Sequence, residues 1–146
     1  MRILVINGPN LNMLGRRDAG IYGTITLEEI NQNIRTEALA IDVEVEFFQS
    51  NHEGAIIDFL QESATRAAGI IINGGALTHY GLSMRDALVD TSLPIVEIHL
   101  SNIHAREDFR HNSVIAPIAI GQIAGLGEQG YINGLRLLLG HIQEGK

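Results

Sequence analysis

With 146 residues, 45% of them hydrophobic and 18% charged, the chain has the length and composition of one globular domain, 1–146, with a real core. A formal net charge of −7 argues against a nucleic-acid partner, and no apolar run approaches the ~20 residues of a membrane span. There is no cysteine, and the only lysine is Lys146, the last residue. Thiol nucleophiles, thiolate metal sites and iron–sulfur clusters are therefore excluded, and a Schiff base at a desolvated pocket lysine is not expected.

In chain order, Met1-Arg2 runs straight into an apolar stretch at 3–6, which reads as a buried strand and not as a signal peptide; a cytoplasmic location is expected. Segment 8–24 is long for a βα connection, and its glycines and arginines suit an active-site lid. Thr26-Leu27-Glu28-Glu29 is a capping box, after which Leu27, Ile30, Ile34 and Ala38 mark one helix face. A strand is expected over 43–48. A helix follows over 51–68, with Ile56, Ile57, Leu60, Ala64 and Ala67 facing inward, then a strand over 70–72 and a shorter helix over 82–89. Further strands are expected over 95–98 and roughly 114–120. The last helix, over 130–142, carries Leu135, Leu137, Leu138, Leu139 and Ile142 and is apolar on more than one side. Alternating strands and helices predict a parallel sheet covered on both faces, and five strands in this length suit a flavodoxin-like order of 2-1-3-4-5.

Polar clusters follow the strands. Asn7 and Asn10 come after the first, Ser50, Asn51, His52 and Glu53 after the second, Asn73 after the third, and His99 and Ser101 after the fourth. Asparagine after a strand is ordinarily a turn or cap residue. In the expected sheet, however, all of these reach one carboxyl edge, where α/β sheets bind ligands. Glu97 and His99 alternate onto the same side of their strand, so the carboxylate can orient the imidazole for acid–base work. His104 and Arg106 read as the start of a short helix with a structural role, and His52-Glu53 as a helix cap.

In the long connection, Arg16, Arg17 and Tyr22 have a bland reading as exposed arginines and a packing tyrosine. Without a thiol or a pocket lysine, though, a tyrosine beside a guanidinium is a candidate base. His99 and His104 are five apart, not the spacing of a helical zinc pair, and neither a metal nor a cofactor is expected. Gly125-Leu126-Gly127-Glu128-Gln129-Gly130 matches the dinucleotide fingerprint by letter. No further strand or ribose-binding acid follows it, so these glycines are expected to form the turn into the last helix.

Four stretches resemble the type II 3-dehydroquinate dehydratases: Asn7-Gly8-Pro9-Asn10-Leu11-Asn12, Gly15 to Tyr22-Gly23, Gln49-Ser50-Asn51-His52-Glu53-Gly54, and Glu97-Ile98-His99-Leu100-Ser101-Asn102-Ile103-His104-Ala105-Arg106. The resemblance covers nearly the whole chain. It implies reversible anti elimination of water from 3-dehydroquinate through an enolate to 3-dehydroshikimate, without Schiff base, metal or cofactor, in the shikimate pathway or in quinate catabolism. It further implies Tyr22 as the base that takes the C2 proton, Arg17 as the group that holds it ionised, and His99 as the acid for the departing hydroxyl, with Glu97 and Asn10 as supporting or water-positioning partners. Asn73, His79, Arg110 and Leu100-Ser101 would bind the small anionic substrate. Asp86 would complete a neighbouring subunit's site in a homododecamer built from trimers.

Two departures from the family pattern stand out. In Asn73-Gly74-Gly75-Ala76-Leu77-Thr78-His79-Tyr80-Gly81, Leu77 replaces a tyrosine and Gly74 should loosen the segment. In the lid, Asp18-Ala19 stands where Glu-Pro is usual, removing a proline restraint beside Arg17. Two rival readings remain at this point. A flavin-binding electron carrier shares the fold but would want a Ser/Thr-rich phosphate loop after the first strand, which 7–12 is not. An inactive family member kept as a scaffold would have no need of Tyr22, Arg17 and His99 together.

Overall fold

Strands β1 (Arg2–Asn7), β2 (Glu44–Gln49), β3 (Gly69–Asn73), β4 (Ile95–His99) and β5 (Gly121–Ala124) lie parallel in the expected flavodoxin-like order β2-β1-β3-β4-β5. The computed structural model describes residues 1–145, so Lys146 and the reading that rests on it lie outside the described residues. Alternation along the strands divides the core in two. Ile3, Val5, Ile71, Val96 and Ile98 pack against helices α2 (Leu27–Ala40) and α5 (Gln129–Glu144), through Ile30, Ile34, Tyr131, Leu135 and Leu138. On the other face, Leu4, Ile6, Ile70, Ile72 and Ile95 meet α3 (Glu53–Ser63) and α4 (Leu82–Asp90), through Ile56, Leu60, Met84 and Leu88. Both faces are covered, which is why these strands read as unbroken apolar runs. None of the described helices is long and apolar enough to cross a membrane.

The capping box works as read: Thr26 Oγ1 accepts from the Glu29 backbone N–H at 3.1 Å at the start of α2. Three expectations are corrected. The segment 114–120 is not a strand. Pro117 lacks an N–H and sits in the 3₁₀ turn Ala116–Ile118, while Ile115 is buried against the α3–α4 side of the core. That burial, not sheet pairing, made the segment apolar; the fifth strand is the shorter Gly121–Ala124. The helix expected over 51–68 is α3 alone, Glu53–Ser63, followed by a separate 3₁₀ turn, Ala64–Arg66, after which the Ala68 N–H donates to the Arg2 carbonyl and enters the sheet. His52 occupies the N-cap position of α3, but its side chain makes no capping bond; Glu53 instead accepts from the Met84 N–H at 2.9 Å, in the first turn of α4.

At the carboxyl edge Asn7 is in register with Gln49 on one side and Asn73 on the other. The Gly8 N–H donates to the Asn73 carbonyl at 2.8 Å, and a Cβ at Gly8 would stand 2.3 Å from the Gly74 carbonyl oxygen. Only glycine permits this approach of the β1 and β3 extensions. Gly74 is not a loosening point: it is buried with an ordinary φ of −73°. The 8–24 connection is more ordered than a bare loop, holding a 3₁₀ turn, Leu11–Met13, and a one-turn helix α1, Ala19–Tyr22.

Candidate active site

A cavity opens at the carboxyl edge, and the 8–24 connection forms one wall of it with Asn10, Arg17 and Tyr22. The sequence explains how this segment presents its groups. The Asp18 carboxylate accepts from the Gly20 N–H at 2.9 Å and caps α1, and the single turn carries Tyr22 back over Arg17. The Arg17 guanidinium lies 3.9 Å from the Tyr22 ring centroid, and its Nη2 donates to the phenolic oxygen at 3.0 Å. Arg106 reaches the same oxygen from the far wall, donating from Nη2 at 3.0 Å. Two cationic donors thus meet one phenolic oxygen, an arrangement suited to a negative charge placed there.

His99, 5% exposed at the end of β4, lines the same cavity. Its Nε2 donates to Glu97 Oε2 at 2.5 Å. Glu97 has no exposed surface and accepts also from Ser113 Oγ, at 2.9 and 3.0 Å to its two oxygens, and from Gln122 Nε2 at 3.1 Å. A buried carboxylate is tolerable only when so fully satisfied. With Nε2 engaged, Nδ1 is the nitrogen left to exchange a proton with a ligand. Glu97 itself does not line the cavity; it acts from behind His99.

The remaining walls are Asn73, His79, Leu100, Ser101 and Arg110. Asn73 is 3% exposed, and its side chain bonds Tyr131 and the Gly75 N–H. His79 Nδ1 donates to the Asn112 carbonyl at 2.9 Å, and burial pushes its pKa below the ordinary 6.5. Arg110 Nε bonds Glu107 at 3.2 Å, and Glu107 also sits 3.6 Å from Arg106, so one carboxylate outside the cavity steadies two arginines inside it. Three arginines and no carboxylate line the cavity. A chain of net charge −7 thereby builds a local anion site.

The sequence model of the class II dehydroquinase family matches residues 1–139. The chain belongs to that family. A protein of Roseiflexus castenholzii named 3-dehydroquinate dehydratase is 61% identical over 140 residues, 96% of this chain and 89% of its relative. Another of that name, from Halothermothrix orenii, is 55% identical over 99% of this chain and 97% of its own length. The crystal structure of a type II dehydroquinase from Butyrivibrio crossotus superposes with a TM-score of 0.93 at 49% identity, covering 95% of this chain and 97% of that one.

In this class II dehydroquinase the fold gathers Asn10, Arg17, Tyr22, Asn73, His79, His99, Leu100, Ser101 and Arg110 around one cavity, with Glu97 directly behind. Asp86 stays apart, on an exposed face of α4, with Arg85 at 3.7 Å. Arg106 corrects a sequence reading. It was expected to be structural, yet it lines the cavity and bonds both Tyr22 and, through Nη1 at 3.1 Å, Ser101 Oγ. Ser113, Gln122 and Glu107 were missed altogether. For Glu107 the available signal was its place in sequence between Arg106 and Arg110; the pairing of Gln122 with Glu97 across β4 and β5 could not be read while the fifth strand was expected at 114–120, and Ser113 carried no signal. Gly125 and Gly127 form a turn into α5, as expected, with φ of 92° and 61°, whereas Gly130 lies within the first turn of α5 itself.

Proposed function

We propose that the chain is a 3-dehydroquinate dehydratase that removes water from 3-dehydroquinate by anti elimination through an enolate. The observation that carries this reading is the presence of Tyr22, bonded by two guanidiniums, in one cavity with the Glu97-backed His99. The substrate is a β-hydroxyketone bearing a carboxylate. Its chemistry needs a base for the α-proton, donors for the enolate, an acid for the hydroxyl and a clamp for the anion.

Tyr22, as phenolate, takes the C2 proton, and the electrons of that C–H bond pass into the enolate. Arg17 and Arg106 hold the phenolate before the step and keep the phenol in place after it. As the enolate collapses, its electrons form the new C–C double bond and the hydroxyl leaves with a proton from His99 Nδ1, giving water and 3-dehydroshikimate. The Glu97 carboxylate holds the imidazolium that gives this proton, and Asn10 holds water or an enolate oxygen. Arg110, His79, Asn73 and the Leu100-Ser101 segment receive the carboxylate and hydroxyls. No step asks for a metal, a cofactor or a lysine, and the same chemistry serves shikimate synthesis or quinate breakdown, in the cytoplasm.

Asp86 belongs in this reading to a neighbour's site within a trimer-built dodecamer. The support is its place on the face of α4 that it shares by spacing with exposed Leu82 and Val89, apolar side chains that a lone subunit would leave in water. Purified protein mixed with 3-dehydroquinate should develop the ultraviolet absorbance of a conjugated enone, unaffected by chelators or borohydride. A preparation that forms no enone, or one that borohydride inactivates with a substrate-mass adduct, would rule the reading out.

A further inference from the structure

Tyr131 is the largest fully buried side chain of the molecule, and its ring alone would satisfy the core between α5 and the sheet. Its hydroxyl does something else. Tyr131 Oη donates to Asn7 Oδ1 at 2.5 Å and accepts from Asn73 Nδ2 at 3.0 Å. Asn7 and Asn73 are paired in register on β1 and β3, 1% and 3% exposed, at the edge where the cavity opens. The Asn73 Oδ1 is taken by the Gly75 N–H at 3.1 Å. Its amide therefore has one fixed orientation, with Oδ1 and one Nδ2 proton engaged by the protein and a single Nδ2 proton left. Burial pushes the Tyr131 phenol well above its ordinary range, so it remains a neutral donor throughout the working range of pH.

We infer that Tyr131 is a positioning residue for substrate, whose hydroxyl, anchored on Asn7, locks the Asn73 amide so that its free Nδ2 proton is presented to the cavity. The inference rests on Asn73 contacting substrate as proposed above. Tyr131→Phe keeps the ring and the packing but leaves Asn7 Oδ1 and Asn73 Nδ2 without their shared partner. Substrate should then bind less tightly, with KM up about three- to tenfold, the size of one neutral hydrogen bond, while kcat stays near that of the parent.

The experiment is a double-mutant cycle on KM with Tyr131→Phe and Asn73→Ala, accompanied by thermal melts. The expected result is a KM rise in each single variant and no further rise when Tyr131→Phe is added to Asn73→Ala. A purely structural hydroxyl would lower Tm and leave KM alone, which overturns the inference while Asn73→Ala still raises KM. If Asn73→Ala leaves KM unchanged, the reading of Asn73 fails and the inference with it. Should Tyr131→Phe not fold, Asn7→Ala, which retains the tyrosine, is measured instead. A smaller KM rise in the same direction supports the lock, and an unchanged KM overturns it.

Discussion

Arg106 and Tyr22 stand 84 positions apart, yet the Arg106 guanidinium bridges the phenolic oxygen and Ser101 Oγ. Arg106→Ala should lower kcat on the order of a hundredfold, the usual loss when one preorganised charged donor is removed. Arg106→Lys should restore little, because an ammonium cannot span both oxygens as the planar fork does. Steady-state kinetics check this, and a near-parental kcat for the alanine variant would contradict it. His79 makes a pH prediction. Burial, reinforced by the charges of His99 and Arg110, holds it below 6.5 and outweighs the bond to the Asn112 carbonyl that opposes the shift. The fold thus prefers the neutral ring, so the stability His79 contributes is present above 6.5 and is lost as the pH falls through its lowered folded value. The His79 ring signals in NMR should accordingly titrate below pH 6.5, and the melting temperature should lose the His79 contribution over the same acid range. A ring that titrates above 6.5 would contradict this. At this scale the pairing of Glu97 with His99 was legible from strand alternation, whereas for Tyr22 the residues left Arg16 and Arg17 both open and only the family resemblance singled out Arg17. Arg106 was not legible, because its partner lies on another element and its neighbours in sequence read as a helix start.

Elements position these groups through one close backbone approach, Gly8 against Gly74, and one cap, Asp18 on the Gly20 N–H. Gly8 and Gly74 touch where β1 and β3 end, and neither backbone can retreat: the Gly8 N–H is bound to the Asn73 carbonyl, and the Gly74 carbonyl accepts from the Leu77 N–H at 3.1 Å. Gly8→Ala should therefore cost about 1–3 kcal/mol or more, read as a lower Tm in a thermal melt; an unchanged Tm would show that the edge yields. Strands β1, β3 and β4 were legible because both faces are buried and, Glu97 apart, the positions between Arg2 and the polar edge are apolar or glycine. The fifth strand was misplaced for the converse reason. Gly121–Ala124 is a short, partly exposed edge strand, while 114–120 owes its apolar character to covering the core beside α4. The one-turn helix α1 was missed because a single turn has no periodicity to read; its only local signal is Asp18 two residues before Gly20.

Across the whole molecule, negative charge lies outside and three arginines line the cavity, which favours a small anion over a polyanion as ligand. Near Asp86 in sequence, Leu82 is 62% and Tyr80 63% exposed, and the proposed assembly would cover them. Sedimentation should find a large symmetric oligomer at assay concentrations, and an active monomer would contradict the shared site. The overall sheet order was legible from the alternation of strands and helices, whereas the convergence of Arg17, Arg106 and Tyr22 exists only once 8–24 folds over the edge of β4. That convergence is the centre of the account, and Tyr22→Phe tests it most directly. Turnover of 3-dehydroquinate by this variant should be abolished, while calorimetry still finds substrate bound through Asn73, His79 and Arg110. A Tyr22→Phe enzyme with near-parental kcat would make Tyr22 a packing residue and would contradict the assignment of the base.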